Sequence, residues 1–193
     1  GLGLGKYGQW FSRHETWAQQ AGAWTDYLAR TSYMLSQGSN VADILVYYGE
    51  DLNVTAKYAR KPFGAPPGYN YDFVNARALD DLEVADGLIV APSGASYRLL
   101  CLDTDGRPES DRAAGNIARL RRAGAAVCDV QGLAEALEGV RKDVSCPDAV
   151  RFVHRTTGDS DIYWLDNHSD STVRADIRLR CQGGRGVCLW NPE

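Results

Sequence analysis

Apolar positions at Trp17, Trp24, Leu28, Met34 and Leu35, with Ala21 and Thr31 between them, recur at the spacing of one helical face. They predict a long amphipathic helix from Glu15 to about Gln37, which Gly38 ends. Ser12, with Glu15 three residues on, fits a capping box at its start. The pattern then changes period. Val41 to Tyr48 is a continuous apolar run of strand length, as expected of a strand buried on both faces of a mainly parallel sheet. A loop rich in proline and glycine follows from Leu52 to about Tyr71, and Phe73 to Leu82 predicts a short helix. A small hairpin at 87–94 leads to a strand over 97–102.

Helices at about 109–122 and 133–141 then alternate with a strand at 125–128, the rhythm of an open α/β sheet with helices on its faces. After Asp148 the period becomes two. Strands are expected at 150–155 and 161–165 around a turn at Gly158-Asp159, with two more at 172–179 and 186–190. Such strands would only begin a β-sandwich, and the aromatic helix has nothing before it that supplies a core. Both ends therefore read as cut from something larger. The face from Trp10 to Trp24 calls for a cover, either a missing N-terminal domain or another chain, such as a second copy of this one.

The chain has 193 residues, 44% hydrophobic and 24% charged, and no apolar run near the ~18 residues of a membrane span. A net charge of −4, from 25 acidic and 21 basic residues without a basic block, argues against a nucleic-acid surface. It leaves a neutral or mildly polar ligand as the expectation. Five cysteines without a CxxC, and three histidines, indicate neither a zinc site nor a disulfide framework. Cys101 and Cys128 sit in apolar runs as small core residues, whereas Cys181 and Cys188 flank a glycine-rich turn across which an oxidising compartment would allow a bridge.

Candidate chemistry is sparse. Gly1 to Gly5 is no phosphate loop, since no strand precedes it, and Pro92-Ser93-Gly94 lacks the GxSxG of a nucleophile elbow. Arg13, His14, Glu15 and Trp17, with Trp10 before them, set a cation, an imidazole, a carboxylate and indoles at the start of a helix. An aromatic platform beside hydrogen-bonding groups suits a sugar pocket. The competing reading makes Glu15 a helix cap and the aromatics core. His154 reads as an orienting hydrogen-bonding residue. Asp43, Glu50 and Asp51 flank the first sheet strand; Glu50 and Asp51, at its carboxyl end, stand where open α/β sheets gather ligands, with a solvated loop as the competing reading.

The chain resembles, over nearly all its length, the C-terminal portion of glycoside hydrolase family 106, the α-L-rhamnosidases. The likeness is carried by Gln9 to Arg13 with Thr16-Trp17, by Tyr27 to Arg30, Met34 to Gly38, Val41 to Asp43 and Tyr48 to Glu50. It continues in Gly68 to Asp72, Ser93 to Arg98, Pro147-Asp148, His154-Arg155, Asp161 to Tyr163 and Asn167. The resemblance implies that residues 1–37 are the last loop and helix of a (β/α)₈ catalytic barrel. It makes 38–148 a flavodoxin- or amidotransferase-like α/β domain and 149–193 the start of a β-sandwich.

Two departures from the family pattern stand out. Ala18 replaces a second Trp, which touches an aromatic subsite, and the segment from Asp129 to Cys146 is shorter than the family's. The implied parent is an exo-glycosidase acting on terminal L-rhamnose or a similar sugar outside the cytoplasm. A barrel needs ~250 residues, so most of it lies outside this chain. No catalytic carboxylate pair can be assembled here, and the chain alone is expected to lack turnover. No cofactor is evident; the resemblance places calcium in the missing barrel. A free-standing carbohydrate-binding or assembly protein is the competing expectation, and a small α/β enzyme working at Glu50 and Asp51 a third.

Overall fold

The computed structural model describes residues 13–106, 109–181 and 186–191. Its contacts divide the chain into two compact units, Gly1–Gln37 with Gly184–Glu193, and Gly38–Gly183.

In the first unit a 3-10 turn, Ala18–Gln20, runs into helix α1, Ala21–Leu35. None of the α1 residues is buried, and Trp24, Leu28 and Tyr33 on it are exposed. The helix thus begins later than its apolar spacing suggested, because the chain first closes a tighter turn. Its N-cap, Gln20, makes no side-chain hydrogen bond, so a capping box from Ser12 and Glu15 does not sit at its end. Ser12 itself lies outside the described residues.

The second unit is built on a four-stranded, wholly parallel sheet ordered β3-β2-β7-β8, namely Tyr71–Val74, Ile44–Tyr47, Leu99–Leu102 and Ala126–Asp129. Alternate residues of β2 feed opposite faces. Leu45 and Tyr47 join a core closed by Ala113, Ile117 and Leu120 of helix α3, Asp111–Arg122. Ile44 and Val46 join a second core with Phe63, Tyr69, Leu133 and Leu137. Ser110 caps α3 by accepting from the Ala113 N–H, and three arginines in its last turn face the negative end of its dipole.

A small antiparallel sheet, Glu83–Ala85, Leu88–Val90 and Ser96–Tyr97 (β4 to β6), covers the α3 side. Three antiparallel strands, Ser39–Asn40 (β1), Val150–Thr156 (β10) and Asp161–Asn167 (β11), tie the start of this unit to its later part. Val144–Ser145 (β9) pairs with Arg178–Leu179 (β12). The mixed α/β class, the parallel sheet, the N-terminal helix and the C-terminal antiparallel strands all agree with the sequence reading.

Several elements differ from it. Tyr71–Val74 is a strand and only Ala78–Asp81 turns helically, since pairing with β2 outweighs the local helical preference of the segment. The loop after Leu52 holds a short helix α2, Val54–Tyr58, capped by Asn53. Helix α4, Leu133–Ala136, ends short of the expected 141, shortly before Gly139 at φ +80°. Over 172–179 only Arg178–Leu179 is a strand, and 186–190 is irregular, because alternation forms a strand only where a partner strand is available. All five cysteines are free thiols, with Cys101 buried and Cys181 and Cys188 exposed.

Candidate functional site

Of the residues read as a sugar pocket, Trp10 lies outside the described residues. Arg13 and His14 are exposed, and Glu15 and Trp17 are half-buried. The carbonyl of Glu15 accepts from the Ala18 N–H at 3.1 Å and that of Trp17 from the Gln20 N–H at 2.9 Å, which sets Arg13 to Trp17 on the turn ahead of α1. The Trp17 ring meets Trp24 edge-on, centroids 6.3 Å apart, a packing that fixes the indole as part of a platform.

In the second unit the chain passes from β2 to β3 on one side and then crosses to β7 on the other. The crevice outside the carboxyl ends of β2 and β7 is therefore the topological switch point, where such sheets hold ligands. Lys57 of α2 reaches it. Its ammonium donates to the carbonyls of Tyr48 (3.2 Å) and Asp103, and pairs with the carboxylates of Asp103 (3.5 Å) and Asp105 (3.1 Å). Tyr58 donates to Asp103 at 2.7 Å, and burial followed by this bond raises its phenol well above the usual range.

Glu50 stands beside this crevice. It accepts from the Ser110 N–H at 3.1 Å and from the Tyr47 hydroxyl at 3.2 Å. The Ser110 hydrogen bonds, with the Tyr47 bond behind them, hold its carboxyl below the ordinary range. Glu50 thus anchors the N-terminus of α3 to the sheet, and Asp51 is exposed next to it.

A third cluster lies at the opposite, amino end of β2. Asp43 and Asp143 are buried, and Arg180 bridges them, at 2.8 and 3.1 Å to Asp43 and 3.7 Å to Asp143. Burial opposes the guanidinium's charge, but its bonds to Asp43 and the charge of Asp143 keep its pKa above normal. Arg98 adds a 3.1 Å bond to Asp43. His154 sits between Asp143 (2.9 Å) and Asp161 (3.3 Å), stacked on Tyr163, whose hydroxyl also donates to Asp143. Burial, then Asp143, raises that phenol. With both buried carboxylates neutralised this way, the cluster fastens β12 and the β10–β11 hairpin to the sheet.

Among the described residues no group of three or more His, Cys, Asp or Glu side chains is arranged to hold a metal ion. No described helix is long and apolar enough to cross a membrane.

A family profile for glycoside hydrolase family 106, alpha-L-rhamnosidase, matches residues 1–135 and 129–193. The chain belongs to glycoside hydrolase family 106. A protein of Formosa agariphila named as a beta-glucuronidase is 32% identical over 236 residues, covering all of this family 106 chain and 20% of that protein. The rhamnosidase of Novosphingobium sp. PP1Y superposes with a TM-score of 0.75 at 30% identity, over 86% of this chain and 21% of that one. The chain thus spans about one fifth of each relative. The two profile matches overlap over 129–135, from the last residue of β8.

Sequence reasoning passed over Lys57, Tyr58, Asp103, Asp143 and Arg180. A signal existed for one of these clusters: Asp43 interrupts the apolar run Val41 to Tyr48, and a carboxylate in a buried strand requires a cation somewhere in the fold.

Proposed function

We propose that this chain is part of a glycosidase that releases terminal L-rhamnose. In this reading residues 1–37 are the last loop and helix of its catalytic barrel, 38–148 the amidotransferase-like domain and 149–193 the first strands of a β-sandwich. Trp10, Arg13, His14, Glu15 and Trp17 line a sugar subsite at the barrel mouth. The observation that carries the reading is the match to a rhamnosidase over 86% of this chain but only 21% of that protein.

Glycoside hydrolysis needs two carboxylates flanking the scissile bond, about 5 to 9.5 Å apart. The buried carboxylates here, Asp43 and Asp143, are spent on Arg180 and His154 inside the fold. The reading therefore includes that the chain alone has no turnover, and that its α/β domain serves as scaffold and assembly surface. Calcium, if used, binds in the barrel.

The test is hydrolysis of p-nitrophenyl α-L-rhamnopyranoside by the chain alone, by the rest of the parent enzyme, and by both together. Activity only in the combined sample is the expected result. Turnover by the chain alone overturns the reading. So does a stable, closed oligomer that gains nothing from the barrel, which would make it a free-standing binding protein.

A further inference from the structure

The Gly68–Asp72 and Pro147–Asp148 segments, far apart in sequence, meet in the second unit at an open cleft of about 370 Å³ that none of the chemistry above uses. We propose that this cleft is a second carbohydrate-binding site, which takes one neutral pyranose ring of a glycan. The proposal rests on the reading of the parent as a carbohydrate-active enzyme.

Its walls are held rigidly. Gly68 offers its carbonyl to the N–H groups of Asp143 (2.9 Å) and Val144 (3.3 Å), and Tyr69 donates to the Val140 carbonyl at 2.6 Å. Gly68 adopts φ +93°, and a Cβ there would lie 2.5 Å from the Val144 carbonyl oxygen, so the loop and the β9 segment touch backbone to backbone. The Asn70 carbonyl accepts from Asp43 and Ile44 at the start of β2. On the other wall, the Val150 N–H closes a turn onto the Pro147 carbonyl at 2.9 Å and presents Asp148, before β10 supplies Arg151 and Phe152.

The lining has the chemistry of a sugar site. Phe63 and Tyr71, with ring centroids 4.9 Å apart, and Phe152 provide aromatic surface for the C–H face of a pyranose. Around them stand the Asn70 amide, the Tyr71 hydroxyl, the Asp148 carboxylate and the Arg151 guanidinium. None of these four side chains makes a hydrogen bond or ion pair with a described residue, although each other wall residue used here is packed or bonded. A carboxylate and a guanidinium lining one cleft cancel in charge and can each grip a pair of vicinal hydroxyls. That favours a neutral sugar over a uronate. The volume lies at the low end of the about 300–1,000 Å³ of ligand pockets, which suits a single ring of a longer chain.

The test is a titration of the whole chain with methyl α-L-rhamnopyranoside, followed by amide NMR, with methyl β-D-glucuronide as the charged comparison. Saturable shifts confined to residues 62–71 and 146–152 are expected with the rhamnoside. Asp148→Ala and Arg151→Ala, both at exposed positions, should each weaken binding about tenfold or more, as loss of a charge-assisted hydrogen bond does. Arg112→Ala, at an exposed position of α3 that pairs with Asp80 away from the cleft, should leave binding unchanged. Shifts confined to residues 13–24 and lost in Trp17→Ala overturn the cleft while favouring the barrel-mouth subsite. Absence of saturable shifts overturns the cleft and leaves the hydrolysis assay to judge the parent activity separately. Tighter binding of the glucuronide overturns the neutral-sugar assignment.

Discussion

Replacing Arg180 by Met tests whether the buried cluster holds the second unit together. The Arg180 side chain is 17% exposed and those of Asp43 and Asp143 are 3% and 1% exposed, so all three work in a largely dry site. Met keeps most of the apolar stem and removes the guanidinium, with its bonds to both oxygens of Asp43 and to the Arg141 carbonyl. Breaking a buried pair by deleting one partner costs about 3–5 kcal/mol, chiefly because a charge is left unpaired. Asp43 keeps Arg98, whose side chain is 49% exposed and screened by water, so about 3 kcal/mol is expected. For a chain of this size that lowers Tm by about 6–12 °C. Urea unfolding of the wild type, Arg180→Met, Asp43→Asn and the double variant completes a cycle. Asp43→Asn should cost at least about 2 kcal/mol less in the Met background than in the wild type. A single-variant loss below about 1 kcal/mol, or additivity within about 0.5 kcal/mol, refutes the idea that the unpaired carboxylate dominates.

Gly68→Ala should cost about 1–3 kcal/mol in thermal melts, since Cβ would press on the Val144 carbonyl at a positive φ. Gly115→Ala, inside α3 with nothing within 4 Å, should instead stabilise by about 0.5–1 kcal/mol. Glu50 has a lowered folded-state pKa, so its contribution is present above the ordinary value of 4.5 and is lost as pH falls through the folded value. Because Glu50 is exposed, Glu50→Gln should cost no more than about 1 kcal/mol at pH 7, and urea midpoints of the two proteins should converge as pH drops below 4.5. A gap that widens toward acid refutes that assignment.

The parallel sheet was legible because β2 and β7 are apolar at every position, as only strands buried on both faces are. Helix α3 was legible from the alternation of helix and strand over 109–128, and Ser110 caps it in the structure. The helix placed at Phe73 failed for a reason no local window contains: Tyr71–Val74 pairs in register with Ile44–Tyr47, and that register depends on the whole sheet. The strand expected at 186–190 failed the same way. Val187 and Leu189 are each 96% exposed, and alternation without a partner carries no strand. Of the candidate site, Arg13 to Trp17 could be named from composition alone. Lys57 and Arg180 could not, because their roles arise from oxygens contributed by residues 46 and 137 positions away.

Lys57 also bears on where a ligand could sit on the parallel sheet. In open α/β sheets a ligand enters the crevice outside the carboxyl ends of the strands because the chain departs there in opposite directions and leaves a gap. Here the gap between β2 and β7 receives an internal ammonium held by four oxygens, and Asp103 is further bound by Tyr58. Displacing that ammonium would leave the half-buried Asp103 and two carbonyls without their donor, a loss that a neutral sugar would have to make good with hydrogen bonds of its own. Glu50, one of the two carboxylates read as candidates at this end of β2, is tied to Ser110 and Tyr47. The sheet's customary ligand position is therefore part of the fold's own bonding. The sugar contacts proposed above therefore lie elsewhere, on the turn before α1 and in the cleft where the Tyr71 hydroxyl and the Arg151 guanidinium make no hydrogen bond with a described residue.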